Sequence, residues 1–300
     1  MLKSLTVSFA KFSASLLPES APEFIYTVIL KPKILRAIAN KILLFIIPKK
    51  VVIPEGVVIL NPKDPVVSGA LALGVYEKFE TALMRRLLTA GMTVLDIGAN
   101  VGYYTAIFAR LVGERGKVIA FEPDTDNFSF LEATIRANSL QNVAAHRAAV
   151  GDAKGEVRLY KSPGNLADHR IYAFPESKET ITTPLVALDE FIKSERIGKI
   201  DFIKMDIQGA EGRALKGMLE TLKNQKALAI ATEFWPKGLH DAGSDALWFL
   251  ETLRSLGFSI RQVNEKTSRL EDITDFGVLV GSLPGRKYTN LLCMKGYSIN

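Results

Sequence analysis

The sequence predicts an α/β protein, a doubly wound and mostly parallel sheet with helices on both faces. Three observations carry this expectation. From Val51 onward, short β-branched runs alternate with longer stretches of helical periodicity, the pattern of strands joined by crossover helices. The run at residues 93–98, TVLDIG, passes through a glycine-containing turn directly into a helical stretch. Acidic residues close successive strand segments, and the carboxyl ends of strands are where such sheets bind ligands.

The chain has 300 residues, with 38 Lys plus Arg against 32 Asp plus Glu. Its first fifty residues hold eight basic side chains and two acidic ones, so the whole excess of six lies there. The remainder is formally neutral, which argues against a nucleic-acid substrate and fits a small acceptor. Within the basic arm, Ile34, Leu35, Ile38, Ile42, Phe45 and Ile46 recur at helical spacing between Pro32 and Pro48. An amphipathic helix is therefore expected over 32–48. It either braces the following domain or makes peripheral contact with an anionic membrane surface. Charges interrupt the apolar run well short of the roughly twenty residues a bilayer span needs. A single cysteine, Cys293, excludes an internal disulfide, and three scattered histidines leave no ligand set for a histidine-built metal cage. A reduced, cytoplasmic protein with no required metal is expected, at most peripheral at the inner membrane surface. Its oligomeric state is left open.

After the extension at 1–50 and a lead-in segment at 51–92, the main domain is expected over 93–300. Residues 93–98, 117–122, 199–207 and 227–234 read as buried strands, and 103–112, 125–138 and 244–256 as helices. Residues 156–160 and 181–188 read as an inserted hairpin. The polar segment between them, 161–180, is long for a loop in a compact domain, which makes it a candidate substrate lid.

The first strand-to-helix turn distinguishes two cofactors. A nicotinamide-binding turn carries G-x-G-x-x-G, whose middle glycine lets the backbone approach a pyrophosphate. Here that position is Asn100, within Gly98-Ala99-Asn100-Val101-Gly102, and Asp96 points a carboxylate at the ligand from the strand end. A carboxylate repels a pyrophosphate but favours a cationic sulfonium and an α-amino group. The chemistry points to S-adenosylmethionine. Glu122, after the second strand, is placed to accept hydrogen bonds from two ribose hydroxyls. Asp152 ends a third strand segment and is a candidate partner for the adenine amine. Asp124 and Asp152 equally suit a helix N-cap or a turn.

These residues resemble the FkbM-type class I methyltransferases. The likeness runs from about residue 66 to 296. It includes GVYE at 74–77, VLDIGANVGY at 94–103, FEP at 121–123, NLADHR at 165–170, KMDIQGAE at 204–211, EFWP at 233–236 and NLL at 290–292. The resemblance implies a Rossmann-like methyltransferase sheet with a reversed strand near its carboxyl end, formed by 258–263 and 288–295. It further implies a cofactor held by Gly98, Gly102, Glu122 and the strand-end acids, and O-methylation of a small-molecule, sugar or glycan acceptor. The family's Asp-x-Glu-Gly segment appears here with Gln208 in the Glu position, so no role needing a charge there carries over.

Methyl transfer from a sulfonium needs alignment, and an alcohol acceptor must also lose its proton. Asp206, at a strand end, is the first candidate for base or acceptor anchor, and Glu233 is the second crevice carboxylate. Glu211 suits a helix N-terminus without any substrate. His169 in the lid has the reference pKa of a general base. Asn165, Arg170 and Trp235 are candidate acceptor contacts, with Arg170 either clamping an anionic group or pairing with a nearby acid. Two rivals remain. One is a nicotinamide-dependent reductase on the same architecture; the other is a membrane-surface module with a vestigial methyltransferase fold.

Overall fold

The computed structural model describes residues 44–45 and 47–297. Most of the basic arm, and with it the helix expected at 32–48, lies outside the described residues. No helix among those described is long and apolar enough to cross a membrane.

An antiparallel hairpin comes first, β1 (Lys50–Ile53) with β2 (Gly56–Ile59), and Val52 faces Val57 across it. Asn138 holds the hairpin against the domain, its Oδ1 accepting from Val57 N at 2.8 Å and its Nδ2 donating to Val57 O at 2.6 Å. Two helices follow, α1 (Val67–Leu73) and α2 (Lys78–Leu87). The first turn of α2 donates Phe79 N and Glu80 N to the Glu265 carboxylate at 3.1 and 2.7 Å. A distant acid thus satisfies donors that no residue of the helix itself reaches.

The central sheet begins at β3 (Thr93–Ile97), and α3 (Tyr103–Val112), β4 (Lys117–Phe121), α4 (Thr125–Ala137) and β5 (Val143–His146) continue the alternation. A small sheet then interrupts it, made of β6 (Ala149–Val150), β7 (Gly155–Lys161) and β8 (Glu179–Val186). The hairpin expected around 156–188 is the antiparallel β7–β8 pair. The winding resumes with α5 (Leu188–Ser194), β9 (Phe202–Met205), α6 (Glu211–Lys216), α7 (Leu219–Asn224) and β10 (Leu228–Phe234). It finishes with α8 (Pro236–Asp241), α9 (Ala246–Ser255), β11 (Ser259–Asn264), β12 (Arg269–Asp272), α10 (Phe276–Ser282) and β13 (Thr289–Lys295).

Across the eight-stranded sheet the order is β12-β11-β13-β10-β9-β3-β4-β5. Strands β10, β9, β3, β4 and β5 run parallel, and β13 inserts antiparallel between β10 and β11. This is the expected mostly parallel, doubly wound sheet with its reversed strand near the C-terminus. Side chains alternate between faces, so each strand feeds two cores. Val94, Val118 and Phe202 join Ile107 and Phe108 of α3 on one face. Leu95, Ile119, Ile203 and Ile230 join Leu188, Leu215 and Phe249 from the helices of the other. Phe108, Phe121, Phe202, Phe234 and Phe249 are fully buried, and each contributes about 2–3 kcal/mol of burial. The strand order reverses between β3 and β9, and that switch point opens a crevice at the strands' carboxyl ends.

Candidate active site

The turn after β3 is shaped by close contact. Gly98 has φ 86°, and a Cβ there would lie 2.0 Å from the Asp206 carbonyl oxygen. Only a residue without a side chain lets the β3 turn and the end of β9 meet so closely. Asn100 is also left-handed, at φ 49°, a conformation asparagine tolerates, and its Oδ1 accepts from Val101 N at 2.8 Å. Asn100 N in turn donates to Glu122 Oε2 at 2.8 Å, so the turn and the end of β4 are tied together. Gly102 begins α3 at φ 86°, where a Cβ would meet Leu131 at 2.9 Å.

A pocket results, lined by Asp96, Gly98, Asn100, Glu122, Pro123, Lys204 and Asp206 among others. Asp96 accepts from Thr105 Oγ1 at 2.5 Å, and burial pushes its carboxyl up to about 6, against the pull of Lys204 and Thr105. Glu122 accepts a second backbone bond, from Asp124 N at 2.9 Å, yet burial pushes it up to about 8. Both carboxyls are nearly sealed from solvent, and a ligand bringing positive charge or hydroxyl donors would favour their ionised forms.

At the end of β9 the crevice holds a carboxylate cluster around Lys204. Lys204 is 5% exposed, 3.6 Å from Asp206 and 4.6 Å from the Tyr104 ring centre. Burial alone would lower its pKa, but Asp206, Glu77, Glu80 and Asp96 together raise it, so the ammonium stays charged. Gln208, left-handed at φ 55°, donates its Nε2 to Asp206 Oδ1 at 2.8 Å and, more distantly, to Glu233 Oε2 at 3.4 Å. The amide therefore bridges two acids. Burial, with Asp206 and Glu211 adding their charges, holds Glu233 well above the usual carboxylate range. Tyr104 donates to Glu77 Oε2 at 2.8 Å.

The sequence matches the domain described as the Methyltransferase FkbM domain over residues 96–260, more than half of the chain. The chain belongs to the FkbM methyltransferase family. It is 28% identical to the hexuronic acid methyltransferase AglP of Haloferax volcanii over 43% of this chain and 51% of that one. It is 29% identical to the 31-O-demethyl-FK506 methyltransferase FkbM of Streptomyces tacrolimicus over 44% of this chain and 61% of that one. The alignments thus span between about half and three-fifths of these relatives' lengths. A crystal structure of an FkbM methyltransferase from Methylobacillus flagellatus superposes with a TM-score of 0.43 at 18% identity, over 87% of this chain and 59% of that one. Family membership sets aside the reductase alternative.

Within this FkbM-family fold, Asp96, Gly98, Asn100, Glu122, His169 and Asp206 all line the pocket. Gly102 shapes the turn from outside it, and Glu233 adjoins it through Gln208. Four other residues expected at the site do not line the pocket. Asp152 does not reach the pocket, because Arg213 holds its Oδ1 at 2.7 Å and pulls its carboxyl below the usual range. Arg170 is no free clamp for an acceptor: it is buried, bonded twice to Asp168 at 2.7 and 2.8 Å, and stacked on Phe174 and Trp235. Trp235 completes that stack and donates Nε1 to Gly285 O at 2.8 Å. Asn165 closes a local turn, its Oδ1 accepting from Ala167 N at 3.1 Å.

His169 is in the pocket but on its β4 side. It lies 3.8 Å from Asp124, which caps α4, and its Nδ1 accepts from Ser162 N at 3.0 Å. Its contacts are thus with the start of α4 and with its own segment, not with Asp206 or Glu233. Glu211 folds back onto its own turn, Oε1 accepting from Ile207 N at 2.9 Å. The segment 161–180 is no loose lid, since Arg170 at its middle exchanges backbone bonds with Tyr160 at 2.7 and 3.1 Å. Sequence reasoning assigned no role to Lys204, Asn127 or Tyr104, which also line the pocket. The signal for Lys204 was present: a lysine inside a buried strand, two residues before a strand-end acid, needs a partner.

Proposed function

We propose that this protein is an S-adenosylmethionine-dependent O-methyltransferase acting on a hydroxyl of a sugar or another small, uncharged acceptor. One observation carries the reading. Asp96, Glu122 and Asp206, from three neighbouring parallel strands, line a single pocket at the switch point of the sheet. Glu122 would accept from the ribose hydroxyls, and Asp96 would face the positive charge of the methionine portion. When bound, the cofactor supplies an electrophilic methyl group on sulfur. The chain's own residues then have two tasks, to hold the acceptor oxygen in line and to take its proton. Asp206, oriented by Gln208 and Lys204, is the group for the second.

The relatives named for a hexuronic acid and for an oxygen position of FK506 support an oxygen acceptor on a sugar or small molecule. The electrostatics favour an uncharged one. Arg170 is already paired with Asp168 and Lys204 with Asp206, while Glu77, Glu80 and Glu233 gather beside them. A carboxylate on the acceptor would find its candidate cations, Arg170 and Lys204, already paired. The test is cofactor titration calorimetry followed by methyl incorporation into neutral glycosides and their uronic-acid counterparts. Asp206→Asn should keep cofactor affinity and lose about 10²–10⁴ in turnover. Folded protein that fails to bind the cofactor, or Asp206→Asn turning over like the parent, overturns the proposal.

A further inference from the structure

Two residues that line the pocket each carry a buried polar atom with no hydrogen-bond partner among the described residues. Asn127, near the start of α4, and His169 both line it, with Asn127 2% exposed and the His169 side chain 6%. Asn127 donates Nδ2 to Leu166 O at 2.8 Å, which fixes the orientation of its amide, since the flipped form would set two carbonyl oxygens together. Its Oδ1 then has no hydrogen-bond partner among the described residues. His169 accepts Ser162 N at Nδ1, so the neutral ring carries its proton on Nε2. That Nε2 also lacks a hydrogen-bond partner among the described residues. Its nearest acid, Asp124 Oδ2, is 3.8 Å away and engaged by Lys161 at 3.0 Å. Buried polar groups are nearly always satisfied. An unmet acceptor and an unmet donor carried by residues of one pocket describe what its ligand can offer them, a donor and an acceptor.

We propose that Asn127 and His169 read the base of the cofactor. Asn127 Oδ1 accepts from the exocyclic amine of adenine, and His169 Nε2–H donates to a ring nitrogen beside it. Adenine carries that pairing of amine donor and ring-nitrogen acceptor, whereas hypoxanthine puts a carbonyl where the amine stands. The inference rests on the methyltransferase reading and fills the role that Asp152 cannot take. It also gives the 161–180 segment a reason to be pinned down, because its histidine completes the cofactor pocket.

Calorimetric binding of S-adenosylhomocysteine and S-inosylhomocysteine to the full chain tests it without recourse to turnover. The wild-type protein should prefer the adenine ligand by about tenfold or more, the worth of one well-made buried hydrogen bond. Asn127→Ala should weaken S-adenosylhomocysteine by about tenfold and erase the preference. His169→Ala should also weaken it, and His169→Gln, whose amide N–H can stand near Nε2, should restore most of the affinity. Asp152→Ala should bind as the parent does. Equal wild-type affinity for the two ligands overturns the assignment and needs no variant to fold. Undiminished affinity and preference in both alanine variants overturns it as well. Folded wild-type protein that binds neither ligand instead refutes the cofactor reading beneath it, a distinguishable result.

Discussion

Raising the pH from 6 to 8 should tighten cofactor binding about fiftyfold through Glu122. Burial pushes this carboxyl up to about 8 despite backbone bonds from Asn100 and Asp124, with the charges of Asp124 and Asp96 adding to the rise. Ribose hydroxyls donate best to the ionised form, so binding below pH 8 must first remove a proton. With a pKa of about 8, roughly one molecule in a hundred is ionised at pH 6 and one in two at pH 8. Each pH unit below 8 therefore costs about 1.4 kcal/mol of binding. Asp96, at about 6, steepens the dependence only toward the acid end. Calorimetry of S-adenosylhomocysteine in buffers of different ionisation enthalpy should show about 0.9 proton released per site at pH 7. Glu122→Gln should bind more weakly at pH 8 and release none. The stability of the ligand-free fold moves the other way. The folded carboxyl keeps its proton to about 8 while the unfolded chain gives it up near 4.5, so stability present below 4.5 is lost as pH climbs to 8. The full loss is about 5 kcal/mol. A cofactor affinity flat between pH 6 and 8, with no proton released, would refute the reasoning.

Three further outcomes follow from the geometry. Gly98→Ala forces a Cβ into the Asp206 carbonyl in a left-handed conformation, and should cost more than about 3 kcal/mol in denaturant unfolding; a loss under 1 kcal/mol would contradict the contact. Arg170→Ala leaves the Asp168 carboxylate without its partner and strips the cation from the Trp235 and Phe174 rings, so urea unfolding should show a loss of about 3 kcal/mol, and an unchanged midpoint would argue against a structural clasp. Gln208→Glu replaces the bridging amide with a third carboxylate between Asp206 and Glu233. The hydrogen bond that Gln208 donates to Asp206 is then lost, so turnover should fall about tenfold with cofactor affinity kept, and unchanged turnover would remove Asp206 from the role of base.

The centre of the sheet was legible because β3, β4, β9 and β10 are buried on both faces. An apolar run such as TVLDI between turn signals has few alternatives, and the helix at Tyr103–Val112 follows from its spacing. The elements without such a signal were the hairpin β1–β2 and the edge strand β12. Each is four residues long; β12 pairs only with the adjacent β11, while β2 is held by a distant side chain. Asn138 grips β2 across 81 residues, and Glu265 caps α2 across more than twice that distance. Local periodicity carries no trace of either.

The candidate site divides along the same line. Asp96, Glu122 and Asp206 were visible because a strand end fixes where a side chain stands, and the parallel register aligns the three ends. Asp152, Arg170 and Trp235 were misassigned because their residue types suit a ligand, while their actual partners, Arg213, Asp168 and Gly285, are decided by packing. Asn127 is the reverse case. In sequence it is one polar residue in the first turn of a helix, where asparagine is unremarkable. Its meaning arises only when Leu166 takes its amide nitrogen and leaves the oxygen unmet in a closed pocket. A strand-end acid announces a site by position, but a recognition pair such as Asn127 and His169 is defined by the bonds its neighbours leave unmade.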